Sequence, residues 1–287
     1  MGNTIGVVGA GVMGRGIAQI LAQHDFDVVL IDLTTELLDE ARRSIGYALK
    51  SAALFDPGLR GRHEATLARI EATTDYERLA GADFVIENAT EDWSVKETVY
   101  RELGRCCRPD CTFAANTSAI LIARIASLVP EPARVIGMHF MNPVPQKPLV
   151  EVIRSAATSE ATIAAACALL ERIGKRAIIV GDSPGFVTNR VLMLTINEAI
   201  AVVEEGISNP HDVDAIFTGC FAHAMGPLAT ADLIGLDTIL RSLEVLEASL
   251  EDPKFAARPL LRDMVASGRL GRKSGAGFFQ YDARSRN

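Results

Sequence analysis

With 287 residues the chain is sized for two domains, and a hydrophobic share of 48% against 23% charged is ample for buried cores. A net charge of −7 and a pI near 5.3 argue against nonspecific nucleic-acid binding, which needs a basic surface, and leave room only for a local basic patch. No run approaches the roughly 18 apolar residues of a membrane span, so no membrane partner is expected.

The first strand-like segment begins at Thr4, which leaves no room for a secretory signal, and Gly6 stands where a myristoylation signal wants Ser or Thr. The five cysteines, Cys106, Cys107 and Cys111 among them, fall in no metal-ligand spacing. Reduced thiols, no metal and a cytoplasmic location are therefore expected.

In chain order, Ile5–Val8 reads as a short apolar strand and Gly14–His24 as a helix. Val28–Ile31 and Glu36–Ala53 repeat that pattern. The Gly-, Pro- and Arg-rich segment Phe55–Arg62 reads as the tip of a helical hairpin inserted into the sheet domain. Phe84–Ile86, Thr112–Ala114 and Val135–Gly137 are further buried-strand candidates, Leu149–Ile153 is a strand-like apolar run, and Ala177–Val180 is the last strand candidate. Strands alternating with helices predict parallel crossovers, hence an α/β Rossmann-like doubly wound sheet. Beyond Pro184-Gly185 the apolar spacing turns helical, over Val187–Gly206, Pro210–Phe221, Ala231–Leu250 and Pro259–Ser267. The chain thus divides into a sheet domain over 1–183 and an all-α domain over 184–287. The Phe217–Phe221 and Leu236–Leu246 regions carry much apolar surface for a small helical domain and predict a homodimer.

Gly9-Ala10-Gly11-Val12-Met13-Gly14 follows a strand and opens a helix. Gly9, Gly11 and Gly14 allow a tight turn, close approach of a pyrophosphate and close packing of helix on strand. Val12 and Met13 begin the helix whose N-terminus favours negative charge. The pattern alone is weak. Asp32 at the end of the next strand strengthens it, because a carboxylate there accepts from ribose hydroxyls and repels a 2′-phosphate. No Arg follows Asp32, so NAD is favoured over NADP.

The segment Gly137-Met138-His139-Phe140-Met141-Asn142-Pro143-Val144-Pro145 places a histidine where a strand runs into a stiff loop. Alone, His139 fits a hydrogen-bonded core residue equally well. Glu151, however, sits inside the apolar run Leu149-Val150-Glu151-Val152-Ile153, and a buried carboxylate needs a partner. Paired with Glu151, the imidazole would have a fixed tautomer and a stabilised charged form, as a general base requires. Arg154 and Lys147 are the competing partners for Glu151.

These motifs resemble the 3-hydroxyacyl-CoA dehydrogenase family, especially its short bacterial 3-hydroxybutyryl-CoA dehydrogenases. The likeness covers nearly the whole chain. It also rests on Glu87-Asn88-Ala89-Thr90-Glu91, Asn116-Thr117-Ser118, Asp182–Arg190, Gly226-Pro227-Leu228, Asp232–Asp237 and Gly271–Phe279. The resemblance implies that His139 removes the hydroxyl proton while C3 gives hydride to NAD, with Glu151 orienting it. It implies that Ser118 hydrogen-bonds the substrate oxygen and Asn189 holds the acyl group. It places Glu91 and Lys96 on the cofactor's ribose side, and Asn116 and Asn142 with the cofactor, Asn142 near the nicotinamide. Lys273 would be a cofactor contact from the carboxyl-terminal tail. Plainer roles exist: Ser118 as a helix cap, Asn189 as a helix-packing residue, Lys96 as a solvated charge.

The chain departs from the family pattern at three places. Gln146-Lys147-Pro148 replaces an apolar pair, Met141 replaces a Phe, and Arg60-Gly61-Arg62 stands at a hairpin tip that is normally lysine-bearing. These changes bear on the carrier: acyl-CoA, or an acyl carrier protein bearing a glyceryl unit on the way to polyketide extender units. A free-acid β-hydroxyacid dehydrogenase, sharing only the amino-terminal turn, would leave His139 and Glu151 unexplained. A non-catalytic NAD-binding protein would have no use for His139, Glu151, Ser118 and Asn189 together.

Overall fold

The computed structural model describes residues 3–55, 58 and 61–282. The chain divides into two units, Met1–Ser183 and Pro184–Asn287. The first is built on an eight-stranded sheet: β1 (Thr4–Val8), β2 (Asp27–Ile31), β3 (Ile70–Thr73), β4 (Phe84–Glu87), β5 (Thr112–Ala115), β6 (Val135–His139), β7 (Leu149–Arg154) and β8 (Arg176–Gly181). Its order is β3-β2-β1-β4-β5-β6-β7-β8. The chain leaves β1 toward β2 on one side and returns to β4 on the other. That reversal opens a crevice at the carboxyl end of β1, the usual ligand position in such sheets.

The six strands from β3 to β6 are parallel, as the alternation predicts. The remaining two correct it: β7 runs antiparallel to β6, and β8 runs parallel to β7. The cause is connection length. Residues 140–148 hold only a single 3₁₀ turn, Val144–Gln146, and so short a link cannot make the crossover that a parallel pair needs. The strand β3 had no apolar run to announce it. Of Ile-Glu-Ala-Thr only Ile70 is buried, and it pairs with β2 at the sheet edge.

Helix α1 (Val12–Gln23) buries Ile17, Ile20 and Leu21 in the same core as Ile5 and Val7 of β1. Helices α2 (Thr35–Phe55) and α3 (His63–Ala68) form the arms of the expected hairpin. Asp56, Pro57, Leu59 and Arg60 at its tip lie outside the described residues. The unit is completed by α4 (Trp93–Cys106), α5 (Ile122–Ala126) and α6 (Glu160–Arg172).

The second unit is helical: α7 (Thr188–Glu204), α8 (Pro210–Phe221), α9 (Pro227–Ile234), α10 (Leu236–Leu250) and α11 (Pro259–Ala266). The periodicity over Ala231–Leu250 predicts one helix. The chain breaks it at Gly235, whose φ of +105° only glycine adopts without strain. A second correction concerns surface. Leu236, Ile239, Leu243 and Leu246 are at most 1% exposed and form this unit's own core. Of the two regions expected to expose apolar surface, the one on α8 does so, at Phe221, with Ile216 just before that region in sequence. Asp232 on α9 accepts from Phe278 N, Phe279 N and the Tyr281 hydroxyl, so the Gly271–Phe279 motif is in part a tail folded around one buried carboxylate.

Candidate active site

At the end of β1 the glycine turn is closed below and open above. Gly9 has a φ of +90°, and a Cβ there would sit 2.7 Å from the Asn88 carbonyl oxygen. A Cβ at Gly14 would run into the Gly9 carbonyl oxygen. At Gly11, by contrast, a Cβ would meet nothing within 4 Å. Gly11 is also the N-cap of α1 and supplies no side-chain acceptor to the first helical N–H groups. Bare backbone, open space and uncapped donors together fit a pyrophosphate. Val12 and Met13 begin the helix at this edge, Val12 being well exposed. Asp32, just past β2, accepts from Ala10 N at 2.6 Å and from Leu33 N at 2.7 Å. The backbone thus aims its carboxylate beside the turn, with lone pairs remaining for ribose hydroxyls.

Across the crevice, β6 and β7 are registered so that His139 stands directly opposite Glu151. Cross-strand neighbours share a face of the sheet, and His139 Nδ1 lies 2.8 Å from Glu151 Oε2, both side chains being less than a tenth exposed. The competing partner Arg154 is turned to Glu160 at 2.8 Å. A carboxylate at Nδ1 makes that nitrogen the donor, so Nε2 is the acceptor of the neutral ring. Ser118 Oγ lies 3.1 Å from Nε2, at hydrogen-bonding distance, and would donate to it in that neutral tautomer.

Ser118 is itself held in place. Glu91 accepts from the Thr117 hydroxyl at 2.7 Å and from Ser118 N at 2.5 Å. Thr117 also accepts from Ile120 N at 3.1 Å, and Asp182 caps α5 through Ile122 N and Ala123 N. Ser118 is therefore not the cap of that helix. Asn116 braces two strand ends, donating to Asn88 Oδ1 at 2.7 Å and accepting from Phe140 N at 3.1 Å.

A model of the 3-hydroxyacyl-CoA dehydrogenase NAD-binding domain matches residues 4–183, and one of the same family's C-terminal domain matches residues 185–281. The chain belongs to the 3-hydroxyacyl-CoA dehydrogenase family. It is 46% identical over 277 residues to a probable 3-hydroxybutyryl-CoA dehydrogenase of Deinococcus radiodurans, covering 96% of this chain and 99% of that one. It is 38% identical over 278 residues to the 3-hydroxybutyryl-CoA dehydrogenase of Clostridioides difficile, covering 97% and 99%. The crystal structure of (S)-3-hydroxybutyryl-CoA dehydrogenase from Ralstonia eutropha superposes with a TM-score of 0.93 at 40% identity, over 98% of this chain and 99% of that one. As a member of this family the chain is an NAD-dependent oxidoreductase, 3-hydroxybutyryl-CoA dehydrogenase-like.

Among the residues that the family resemblance singles out, His139, Glu151, Ser118, Glu91 and Asn116 converge in the first unit. Asn142 is exposed in the segment after β6. Asn189, in the first turn of α7, and Lys273, paired with Asp237 at 2.6 Å, belong to the second unit. Lys96 has a setting other than the expected one. Neither a solvated charge nor a surface lining a ribose, it is fully buried and donates to both Glu87 oxygens at 2.8 and 2.9 Å. Burial pushes the Glu87 carboxyl up, against the pull of that ammonium. Glu87 also accepts from Ala89 N at 2.6 Å, so the pair stiffens the turn that carries Glu91. Sequence reasoning missed Glu87, Thr117 and Asp182 as supports. The available signal was a charge inside an apolar strand, Phe-Val-Ile-Glu, of the kind that exposed Glu151.

Proposed function

We propose that this chain oxidises the 3-hydroxyl of a short 3-hydroxyacyl-CoA, of the 3-hydroxybutyryl-CoA class, with His139 as the general base. The observation that carries the reading is the line Ser118 Oγ, His139 Nε2, His139 Nδ1, Glu151 Oε2, with links of 3.1 and 2.8 Å. NAD, when bound, supplies the hydride acceptor. The chain's own residues handle the proton. Ser118 marks where a substrate hydroxyl approaches, and Nε2 takes the hydroxyl proton as the C3–H bond is broken. Glu151 keeps Nδ1 protonated and balances the imidazolium. In the reverse direction the imidazolium returns the proton to the carbonyl oxygen.

The relatives' names support coenzyme A as the carrier. Of the three departures that bear on the carrier, the Arg60-Gly61-Arg62 tip is the one that would meet an acidic carrier protein. Arg60 lies outside the described residues, and Arg62 faces Asp25 at 3.7 Å. The deciding experiment measures NAD reduction with 3-hydroxybutyryl-CoA beside glyceryl-loaded acyl carrier protein. Faster turnover of the CoA ester is expected; a large preference for the protein-bound substrate would overturn the carrier assignment. A homodimer through the exposed face of α8 and a cytoplasmic location belong to the same reading. No helix among the described residues is long and apolar enough to cross a membrane.

A further inference from the structure

The segment 140–148 joins the two halves of the catalytic pair. His139 ends β6 before it, and Glu151 follows early in β7. It contains Pro143, Pro145 and Pro148, none of which has an N–H to tie it down. Apart from one internal bond, from Gln146 N to the Pro143 carbonyl at 3.1 Å, what ties it down comes from outside. Lys175, immediately before β8, is 6% exposed, and its ammonium donates to the Val144 and Lys147 carbonyls, each at 2.6 Å. Among the described residues no carboxylate pairs with it. Burial accordingly holds its pKa below that of an ordinary lysine.

A buried ammonium satisfied only by carbonyls is a costly way to fill space, since an apolar side chain of the same length would avoid the desolvation. The opposite side of the segment rests on the dinucleotide helix. A Cβ at Gly16 of α1 would stand 2.9 Å from Val144 Cβ and 3.1 Å from its Cγ2. Val144 is thus held between the helix that receives the pyrophosphate and the Lys175 ammonium.

We propose that Lys175 is a positioning residue for the reaction. It clamps the His139–Glu151 connection against α1 and so aligns the base and the Asn142 side of the segment with the cofactor helix. The inference rests on the reading of His139 as base. Its test is a double-mutant cycle of Lys175→Met with His139→Ala, measured as kcat with 3-hydroxybutyryl-CoA and NAD, alongside thermal unfolding. Alone, Lys175→Met should lower kcat by about tenfold, the size of coupling within one hydrogen-bonded network. It should also move the low-field Nδ1–H proton resonance of His139. Lys175→Gln, whose amide keeps two N–H donors, should recover part of kcat. In the His139→Ala background Lys175→Met should have little further effect, because nothing remains to be aligned.

An equal drop in both backgrounds, or a kcat within twofold of wild type in Lys175→Met, overturns the proposal. Should Lys175→Met fail to fold, Lys175→Leu, which likewise has no donor, takes its place in the cycle under the same criterion. If His139→Ala itself keeps kcat, it is the base assignment that fails, and the two failures are distinguishable.

Discussion

His139 and Glu151 face each other across an antiparallel strand pair, and their side chains meet at 2.8 Å. Removing the base should therefore separate chemistry from binding. His139→Ala should lower kcat by about 100- to 10,000-fold while NAD affinity stays near wild type. Glu151→Gln should lose less, because it disturbs the tautomer and charge of a base that is still present. Steady-state kinetics with a parallel NADH fluorescence titration would check this. A kcat close to wild type in His139→Ala would remove the assignment.

Cofactor choice should turn on Asp32. Its carboxylate is fixed by Ala10 N and Leu33 N beside the glycine turn and would repel a 2′-phosphate. Replacing it with Ser and placing Arg at Leu33 should shift the preference toward NADP. The readout is the ratio of kcat/KM for the two cofactors in both proteins.

Two glycines of the same turn should fail in different ways. Gly14→Ala drives a methyl into the Gly9 carbonyl, so it should cost about 1–3 kcal/mol of stability as an overpacked contact. Gly11→Ala meets open space in the chain itself. It should leave the melting temperature near wild type and weaken NAD binding, because the methyl occupies the pyrophosphate's path. Melting curves and NADH titrations on both variants would show the split; equal stability losses would contradict it.

The α8 face should mediate association. Ile216 and Phe221 are 51% and 64% exposed on one short helix, with the Phe217 ring 5.7 Å from that of Phe221, and apolar exposure of this kind marks an interface. Light scattering at micromolar concentration should give a dimer, and Phe221→Glu should give a monomer. A monomeric wild-type chain would refute the interface.

Much of the site was legible in the sequence because its parts are local. A strand, a glycine turn, a helix and an acid follow one another in fixed order, and a carboxylate within an apolar strand announces that it has a partner. The residues that stayed hidden act over distance. Asp182 caps a helix that begins sixty residues earlier, and neither partner looks unusual alone. Lys96 reads as a surface lysine until Glu87 is seen beside it, since burial depends on packing that a helix pattern does not specify. The reversal of β7 was missed for a related reason. Apolar runs say that a strand is buried but carry no sign of its direction, and here the short connection decides it.

That short connection also limits how this chain can vary. Surface segments between strands are ordinarily where insertions and deletions are tolerated. Within 140–148, however, losing or gaining one residue would slide β7 along β6 and bring a valine, Val150 or Val152, opposite His139 in place of the acid. Variants with a length change there should be catalytically silent and also less stable, because the same slip turns the buried Val150 and Val152 to the other face of the sheet.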